Sequence, residues 1–259
     1  IIDEYYDVTK RPTITERWNL PDRYIYRILK RHAVKTDHRQ YTLNEAAFDL
    51  PITPEAAYWA GFLMADGFIT LNESRAPMIG LDLSVVDRER VEAFRAFLGA
   101  EHPITTRKIE TGDSCRFLVR SQRVIDALAA LGIVPGKTNH EKASDVVASS
   151  EDFWRGYWDG DGCWRGISQA TCNGSDAILL QFIGFLKDIG CSWSWKISHV
   201  AGTKSLALNT EAALFWAKRC LGRTPNLARK QDDIRALIAR RDGRHNEDGS
   251  LRLRKQPGL

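Results

Sequence analysis

Cysteine is scarce in this chain and does not cluster. Cys115, Cys163, Cys172, Cys191 and Cys220 are odd in number, widely spaced and without a C-x-x-C pair, which gives neither a disulfide framework nor a zinc site and points to buried thiols. No apolar run approaches the roughly 20 residues that cross a bilayer, so no membrane partner is expected. The opening residues, Ile1-Ile2-Asp3-Glu4-Tyr5, lack the basic and apolar regions of a secretory signal, and the expected location is cytoplasmic. Compositional bias is missing too: 43% hydrophobic and 27% charged residues exclude collagen-like, mucin-like and wholly disordered classes. The net charge is only +4, but it is unevenly spread. Lys218 to Lys255 holds twelve Lys/Arg against five Asp/Glu, a local excess that fits either a solvated face or a phosphate-binding surface. At 259 residues the chain has room for two cores and an appendage.

What the sequence does have is an internal repeat. Tyr58-Trp59-Ala60-Gly61-Phe62-Leu63-Met64-Ala65-Asp66-Gly67 aligns without gaps on Phe153-Trp154-Arg155-Gly156-Tyr157-Trp158-Asp159-Gly160-Asp161-Gly162, an offset of 95 residues. A period this long implies two domain-sized units and not a solenoid. After each copy come a short hairpin, a helix, two alternating strands and a further helix. Met78 to Val85 sets Ile79, Leu81, Leu83 and Val85 on one face; Ser114 to Arg120 does so with Cys115, Phe117 and Val119, and Ser192 to Ser198 with Trp193, Trp195 and Ile197. One-sided strands need an apolar layer, which helices around 88–98, 121–131, 175–189 and 210–221 supply. Each unit is thus expected to be an α+β sandwich. The helices ending in Phe-Leu, at 97–98 and 185–186, are offset by only 88, so the second hairpin is seven residues shorter.

The first fifty residues belong to neither copy. Ile14, Trp18, Leu20, Ile25, Ile28 and Leu29 fit two short helices broken at Asn19-Leu20-Pro21-Asp22, with nine basic against three acidic residues between Lys10 and Arg39. This reads as a helix-turn-helix whose second helix, about 22–32, exposes Arg23, Tyr24, Arg27, Lys30 and Arg31 to DNA.

Within the repeated segment, Gly61 with Ala65 and Gly156 with Gly160 fall four apart on one helical face, where small residues let two helix backbones approach closely. Asp66 and Asp161 follow, each before a glycine suited to a left-handed cap, so both carboxylates are expected at helix C-termini. An anion there opposes the helix dipole, and two such anions repel each other. A divalent cation relieves both costs. Mg²⁺ prefers few carboxylates, waters and phosphate oxygens, so paired aspartates at the joint of two domains beside basic surfaces suggest metal-assisted phosphodiester hydrolysis.

Trp59 to Gly67 and Trp154 to Gly162 resemble the two motif copies of the single-chain LAGLIDADG homing endonucleases. The resemblance spans about 54–240 and implies two pseudo-twofold-related αββαββα domains, at 51–145 and 146–245, forming a DNA-binding saddle, with a helix-turn-helix-like extension at 1–50 and a basic tail at 246–259. It implies a monomeric, nucleoid-associated enzyme that cuts one phosphodiester on each strand of a long double-stranded DNA site across the minor groove. Mg²⁺ is the expected cofactor, with Ca²⁺ or Mn²⁺ as substitutes. Asp66 and Asp161 match the family's metal-binding acids, with Ala65 and Gly160 completing the metal-binding set. Met64 and Asp159 occupy a position that is often acidic in the family but is not the ligand. A basic residue near each active centre corresponds to Lys137 in copy one and to Lys230 or Arg229 in copy two. Asp87 and Ser175 lie where a polar residue often supports the site, and both suit helix N-caps. Sequence reading falls to sheet side chains: Arg107, Lys108, Arg116 and Arg120 in copy one, Arg165, Gln169, Lys196 and Lys204 in copy two, with Arg229 also facing DNA. Two rival readings share this fold, a DNA-binding transcription regulator and an RNA-splicing maturase. An intein fits poorly, since Glu247 follows His245-Asn246 where a nucleophile is needed.

Overall fold

A computed structural model describes residues 1–6, 13–34, 41–71, 76–110, 112–164, 170–200 and 203–242. Arg165, Gln169 and the basic tail lie outside the described residues. The chain divides into two compact units, Ile1–Tyr41 and Thr42 onward.

The first unit holds three short helices, α1 (Ile2–Tyr6), α2 (Ile14–Trp18) and α3 (Asp22–Arg31). Ile14, Ile25 and Leu29 are its buried centre, with Ile1, Ile2, Tyr5, Leu20 and Val34 packed around them. Between α2 and α3, Asn19 takes the left-handed conformation at φ 46°, a role asparagine tolerates. Trp18, expected among the apolar contacts, is instead exposed, and its indole donates to Glu4 at 2.9 Å.

The second unit repeats one plan. Helix α4 (Pro54–Ala65) leads to β1 (Phe68–Thr70), β2 (Met78–Ser84), α5 (Arg88–Phe97), β3 (Thr105–Ile109), β4 (Gly112–Arg120) and α6 (Gln122–Ala130). After the short α7 (Asp145–Ala148), α8 (Glu151–Asp161) leads to β5 (Gly162–Cys163), β6 (Ala170–Gly174), α9 (Asp176–Asp188), β7 (Trp195–Val200), β8 (Thr203–Leu208), α10 (Thr210–Cys220) and α11 (Ala228–Asp242). The two antiparallel sheets have the orders β1-β2-β4-β3 and β5-β6-β8-β7, which are the same order twice. Each sheet turns one face to helices: Ile79, Leu81, Cys115, Phe117 and Val119 in the first, Ala170, Cys172, Leu206 and Leu208 in the second, all buried.

Equivalent residues build both cores. Trp59 lies 5.1 Å from Phe94 and 6.0 Å from Phe97, ring centre to ring centre. Trp154 lies 5.2 Å from Phe182 and 6.0 Å from Phe185. Residues 42–50, expected in the extension because they belong to neither copy of the repeat, lie in the second unit. Their anchors are Phe48, buried with its ring 5.4 Å from that of Phe97, and the Asn44 amide, which donates to the Leu98 carbonyl at 2.8 Å.

Helices α4 and α8 are buried almost all round, α4 with an apolar sequence and α8 with Arg155 and Asp159 among its buried side chains. Every residue from Ala56 to Met64 and from Phe153 to Asp159 is buried. Thr53 and Ser150 cap their first turns by accepting from the amides of Ala56 and Phe153. The two helices meet backbone to backbone at the glycines: a Cβ at Gly61 would stand 1.9 Å from the Phe153 carbonyl oxygen, and one at Gly156 would stand 1.9 Å from that of Tyr58. The contact is reciprocal, because Tyr58 and Phe153 are themselves partners in the repeat.

Candidate active site

Asp66 caps the C-terminus of α4 and Asp161 is the last residue of α8. The left-handed cap expected after each does not form. Gly162 is extended at φ −82°, ψ 151°, and Gly67 is absent from the positive-φ positions. These glycines answer a different need, close passage over the helix just left. A Cβ at Gly67 would fall 2.7 Å from the Leu63 carbonyl oxygen, and one at Gly162 would fall 2.5 Å from that of Trp158.

The two acids meet where the helices end. The site a Gly160 Cβ would occupy is 2.3 Å from Ala65 Cβ and 3.3 Å from Asp66 Oδ2, so only glycine admits Ala65 and Asp66 at that point. Asp66 keeps a solvent-exposed edge while Asp161 is half-buried. Desolvation in the crevice, reinforced by the Asp66 charge, pushes Asp161 up to about 7 against the pull of Lys137 and Lys230. Asp66 is also raised by desolvation, with Lys230, Lys137 and Arg229 opposing.

The lysines are positioned symmetrically. Lys137 donates to the Ala65 carbonyl at 2.9 Å, and Lys230 donates to the equivalent Gly160 carbonyl at 2.8 Å, as well as to Trp158 and Gly162 carbonyls at 2.9 and 2.6 Å. Both ammoniums therefore sit on the negative ends of the motif helices. Burial lowers the pKa of each, opposed first by Asp161 for Lys137 and by Asp159 for Lys230. Lys137 follows Gly136, whose φ of +66° suits glycine in a tight turn. Lys230 lies in the first turn of α11. Of the two candidates in copy two, Lys230 is the counterpart of Lys137, while Arg229 pairs with Asp87 at distances of 2.9, 3.0 and 3.3 Å. Asp87 thus makes no side-chain cap bond, whereas Ser175 caps α9 by accepting from the Ile178 amide.

One buried acid that sequence reading does not assign to the site organises the surroundings. Asp159 Oδ2 accepts from the Tyr58 hydroxyl of α4 at 2.7 Å and from the Leu227 amide at 2.9 Å, so it ties both motif helices to the start of α11. Arg155, 3% exposed, holds the same loop by donating to the Pro225 carbonyl at 2.7 Å and pairs with Asp152 at 2.5 Å. The signal is present in the sequence as an arginine and an acid at Arg155 and Asp159, within the aromatic and glycine stretch of the repeated segment.

The strand register sorts the expected sheet residues. Arg107, Arg116 and Arg120 share the face of β2, β4 and β3 that points away from the helices, and Lys196, opposite Ala207, has the same position on the second sheet. Lys108 and Lys204 do not. Lys108, opposite Asp113, alternates to the helix side with Thr106 and Cys115, and Lys204 turns to the helix side and pairs with Asp176 at the start of α9. Adjacent residues of a strand point to opposite faces, so Arg107 and Lys108 could never have read one surface together. In the first unit, Arg23 and Arg27 of α3 flank the exposed Tyr24 ring at 5.1 and 4.5 Å, and Lys30 is exposed on the same helix.

Among the described residues no group of three or more His, Cys, Asp or Glu could hold a metal. The donors that the junction offers are two carboxylates and the Ala65 and Gly160 carbonyls. This sparse set of hard oxygens fits Mg²⁺, which keeps several waters and takes phosphate oxygens.

No family model matches the chain, and no curated protein matches it. Solved structures do. The homing endonuclease I-WcaI bound to its DNA recognition sequence is 9% identical at a TM-score of 0.50, covering 74% of this chain and 89% of that one. I-SmaMI bound to an uncleaved DNA target in the presence of calcium ions is 10% identical at 0.49, covering 76% and 95%. Full-length DUF199/WhiA from Thermatoga maritima is 18% identical at 0.46, covering 76% and 65%. No helix among the described residues is long and apolar enough to cross a membrane. Two matched αββαββα units joined through their motif helices, together with the I-WcaI likeness, give this chain the two-domain LAGLIDADG homing endonuclease fold.

Proposed function

We propose that this protein is a site-specific double-strand DNA endonuclease that hydrolyses one phosphodiester on each strand with Mg²⁺. The observation that carries the reading is the convergence of Asp66 and Asp161 at the ends of two touching helices, each beside a lysine fixed on the same helix end. Asp66 and Asp161 hold the cation, with the Ala65 and Gly160 carbonyls beside them. When bound, it polarises the scissile phosphate and acidifies an attacking water. Lys137 and Lys230 offset the negative charge that grows on the phosphorane oxygens, and their anchoring to helix carbonyls means that little reorganisation is needed at that moment. Arg107, Arg116 and Arg120 on the first sheet and Lys196 on the second face the groove of the duplex. Arg23, Arg27 and Lys30 of α3 bind phosphates separately.

The test is incubation with a randomised duplex library in Mg²⁺ or in EDTA, followed by sequencing of cut ends. Cuts sharing one sequence and present only with Mg²⁺ are expected. Asp66→Asn or Asp161→Asn is expected to abolish cutting while specific binding stays within about 1–2 kcal/mol. Full cutting by either variant refutes the assignment of the acids, and sequence-specific binding without cutting by the unaltered chain gives the regulator reading.

A further inference from the structure

On the outward face of the first sheet, three charged side chains from three strands meet at one oxygen. Arg116 on β4 presents Nε and Nη2 to Asp82 Oδ2, both at 2.9 Å, across the register pair that joins β2 to β4. Arg107 on β3 donates to the same oxygen through Nη2 and to Ser114 Oγ through Nε at 3.3 Å. The Arg116 guanidinium also lies 5.3 Å from the centre of the Phe68 ring. Asp82 is the sheltered member, its side chain 15% exposed against 45% for Arg107 and 31% for Arg116, and its Oδ1 is buried without a hydrogen-bond partner.

A carboxylate on a face that meets a polyanion opposes binding, so its presence asks for a reason. Its second oxygen is buried and its first accepts from two guanidiniums, so it has no free acceptor for a cytosine amine. What it does is hold two long side chains still. Each guanidinium has five donors in a rigid fork. With Nε and one Nη2 hydrogen turned inward, the Nη1 pair and the other Nη2 hydrogen face outward. Two parallel outward donors match guanine O6 and N7, and a fork already fixed loses less freedom on binding. We propose that Asp82 is a specificity-determining residue that fixes Arg107 and Arg116 to read two neighbouring guanines in one half of the target. This rests on the DNA-reading function proposed above. Among the described residues the second sheet shows no such device: Lys196 is the one charged side chain on its outward face, beside Cys163, Thr171, Asn173, Ser198, Ser205 and Ala207. The clamp therefore belongs to the half of the target that the first sheet meets.

The experiment is selection of bound duplexes from a randomised library by the full chain without Mg²⁺, for the unaltered protein, Asp82→Ala, Asp82→Asn and Arg116→Lys. The unaltered chain is expected to prefer guanine about 10-fold or more at each of the two positions. Asp82→Ala and Asp82→Asn are expected to lower both preferences together, several-fold, with other positions unchanged and total affinity retained or raised. Arg116→Lys keeps the charge without the fork and is expected to lose one preference only. Unchanged guanine preferences in both Asp82 variants, or loss of a cytosine preference instead, overturn the clamp. A selected site with no such guanines overturns the clamp alone, whereas no selected sequence at all overturns the DNA-reading function and the clamp with it.

Discussion

Gly61→Ala and Gly156→Ala are the sharpest probes of how this molecule is joined. At each position the added methyl would sit 1.9 Å from a carbonyl oxygen of the facing helix. The obstacle is backbone, so no side chain can swing away, and the helices must part by at least about 1 Å to reach the shortest carbon–oxygen separation seen in cores. A gap of that size forfeits a quarter to a half of the dispersion energy between facing atoms along the seam, where Tyr58, Phe62, Phe153 and Tyr157 are all buried. Because backbone is the obstacle on both sides, the gross cost lies above the usual overpacking range, at about 3–5 kcal/mol; alanine returns about 1 kcal/mol of helix propensity over glycine, so a net loss of about 2–4 kcal/mol is expected. Gly184, inside α9, supplies the control: a Cβ there meets nothing within 4 Å, and Gly184→Ala is expected to gain up to about 1 kcal/mol. Urea midpoints for the three variants read this directly, provided the slope is unchanged. Because each acid follows its interface glycine by five residues at the end of the same helix, cleavage by the two interface variants is expected to fall roughly 100-fold. Stability of Gly61→Ala and Gly156→Ala within about 0.5 kcal/mol of the unaltered chain would refute the close backbone approach.

Asp161 raised to about 7 from an ordinary 3.8 makes the folded chain hold a proton that the unfolded chain has released, so stability in EDTA falls as pH rises from about 4 to about 7. The shift corresponds at most to about 4 kcal/mol, and solvent screening of a half-buried group reduces this to about 1–2. Asp161→Asn is accordingly expected to stabilise the chain by that amount at pH 8 and to flatten the pH profile, and equal urea midpoints at pH 8 would count against it. Asp159→Ala strands the Tyr58 hydroxyl and the Leu227 amide in the interior and is expected to cost about 2–4 kcal/mol. By loosening α11 and Lys230, it should also leave nicked duplex where the unaltered chain makes a full break; unaltered product ratios on a plasmid gel would refute that link. Removal of residues 1–41 is expected to weaken DNA affinity and make it less salt-dependent, by about 0.9 in log–log slope for each phosphate that is no longer neutralised, without removing Mg²⁺-dependent cutting. The cut belongs before Thr42, whose hydroxyl donates to the Gly99 carbonyl at 3.0 Å.

The repeat is legible because each copy must solve the same packing problem. Trp59 and Trp154 rest on matching phenylalanines, and the four-residue spacing of small residues announces the touching helices. Strand faces read correctly in the middle of each alternation, as at Cys115, Phe117 and Val119, but not at its ends, where Val85 and Trp193 fall outside β2 and β7 and are exposed. Misreadings arise where chemistry is scored one residue at a time. Lys108 and Lys204 look like their basic neighbours, although the period of two assigns them to the helix side. Gly67 and Gly162 suggest a cap through their own dihedral freedom, when the true constraint is the chain passing over Leu63 and Trp158. Asp82 carries no local signal, because its meaning depends on arginines 25 and 34 residues away that only the sheet register brings beside it.

The Tyr58–Asp159 hydrogen bond is a buried link across the seam that breaks the repeat's symmetry. By alignment, Tyr58 answers to Phe153 and Asp159 to Met64. A chain assembled from two front halves would set the tyrosine hydroxyl against methionine, and one assembled from two back halves would set phenylalanine against a bare carboxylate. Neither half can mate with its own copy without stranding a polar group, so each half is complementary to the other and not to itself.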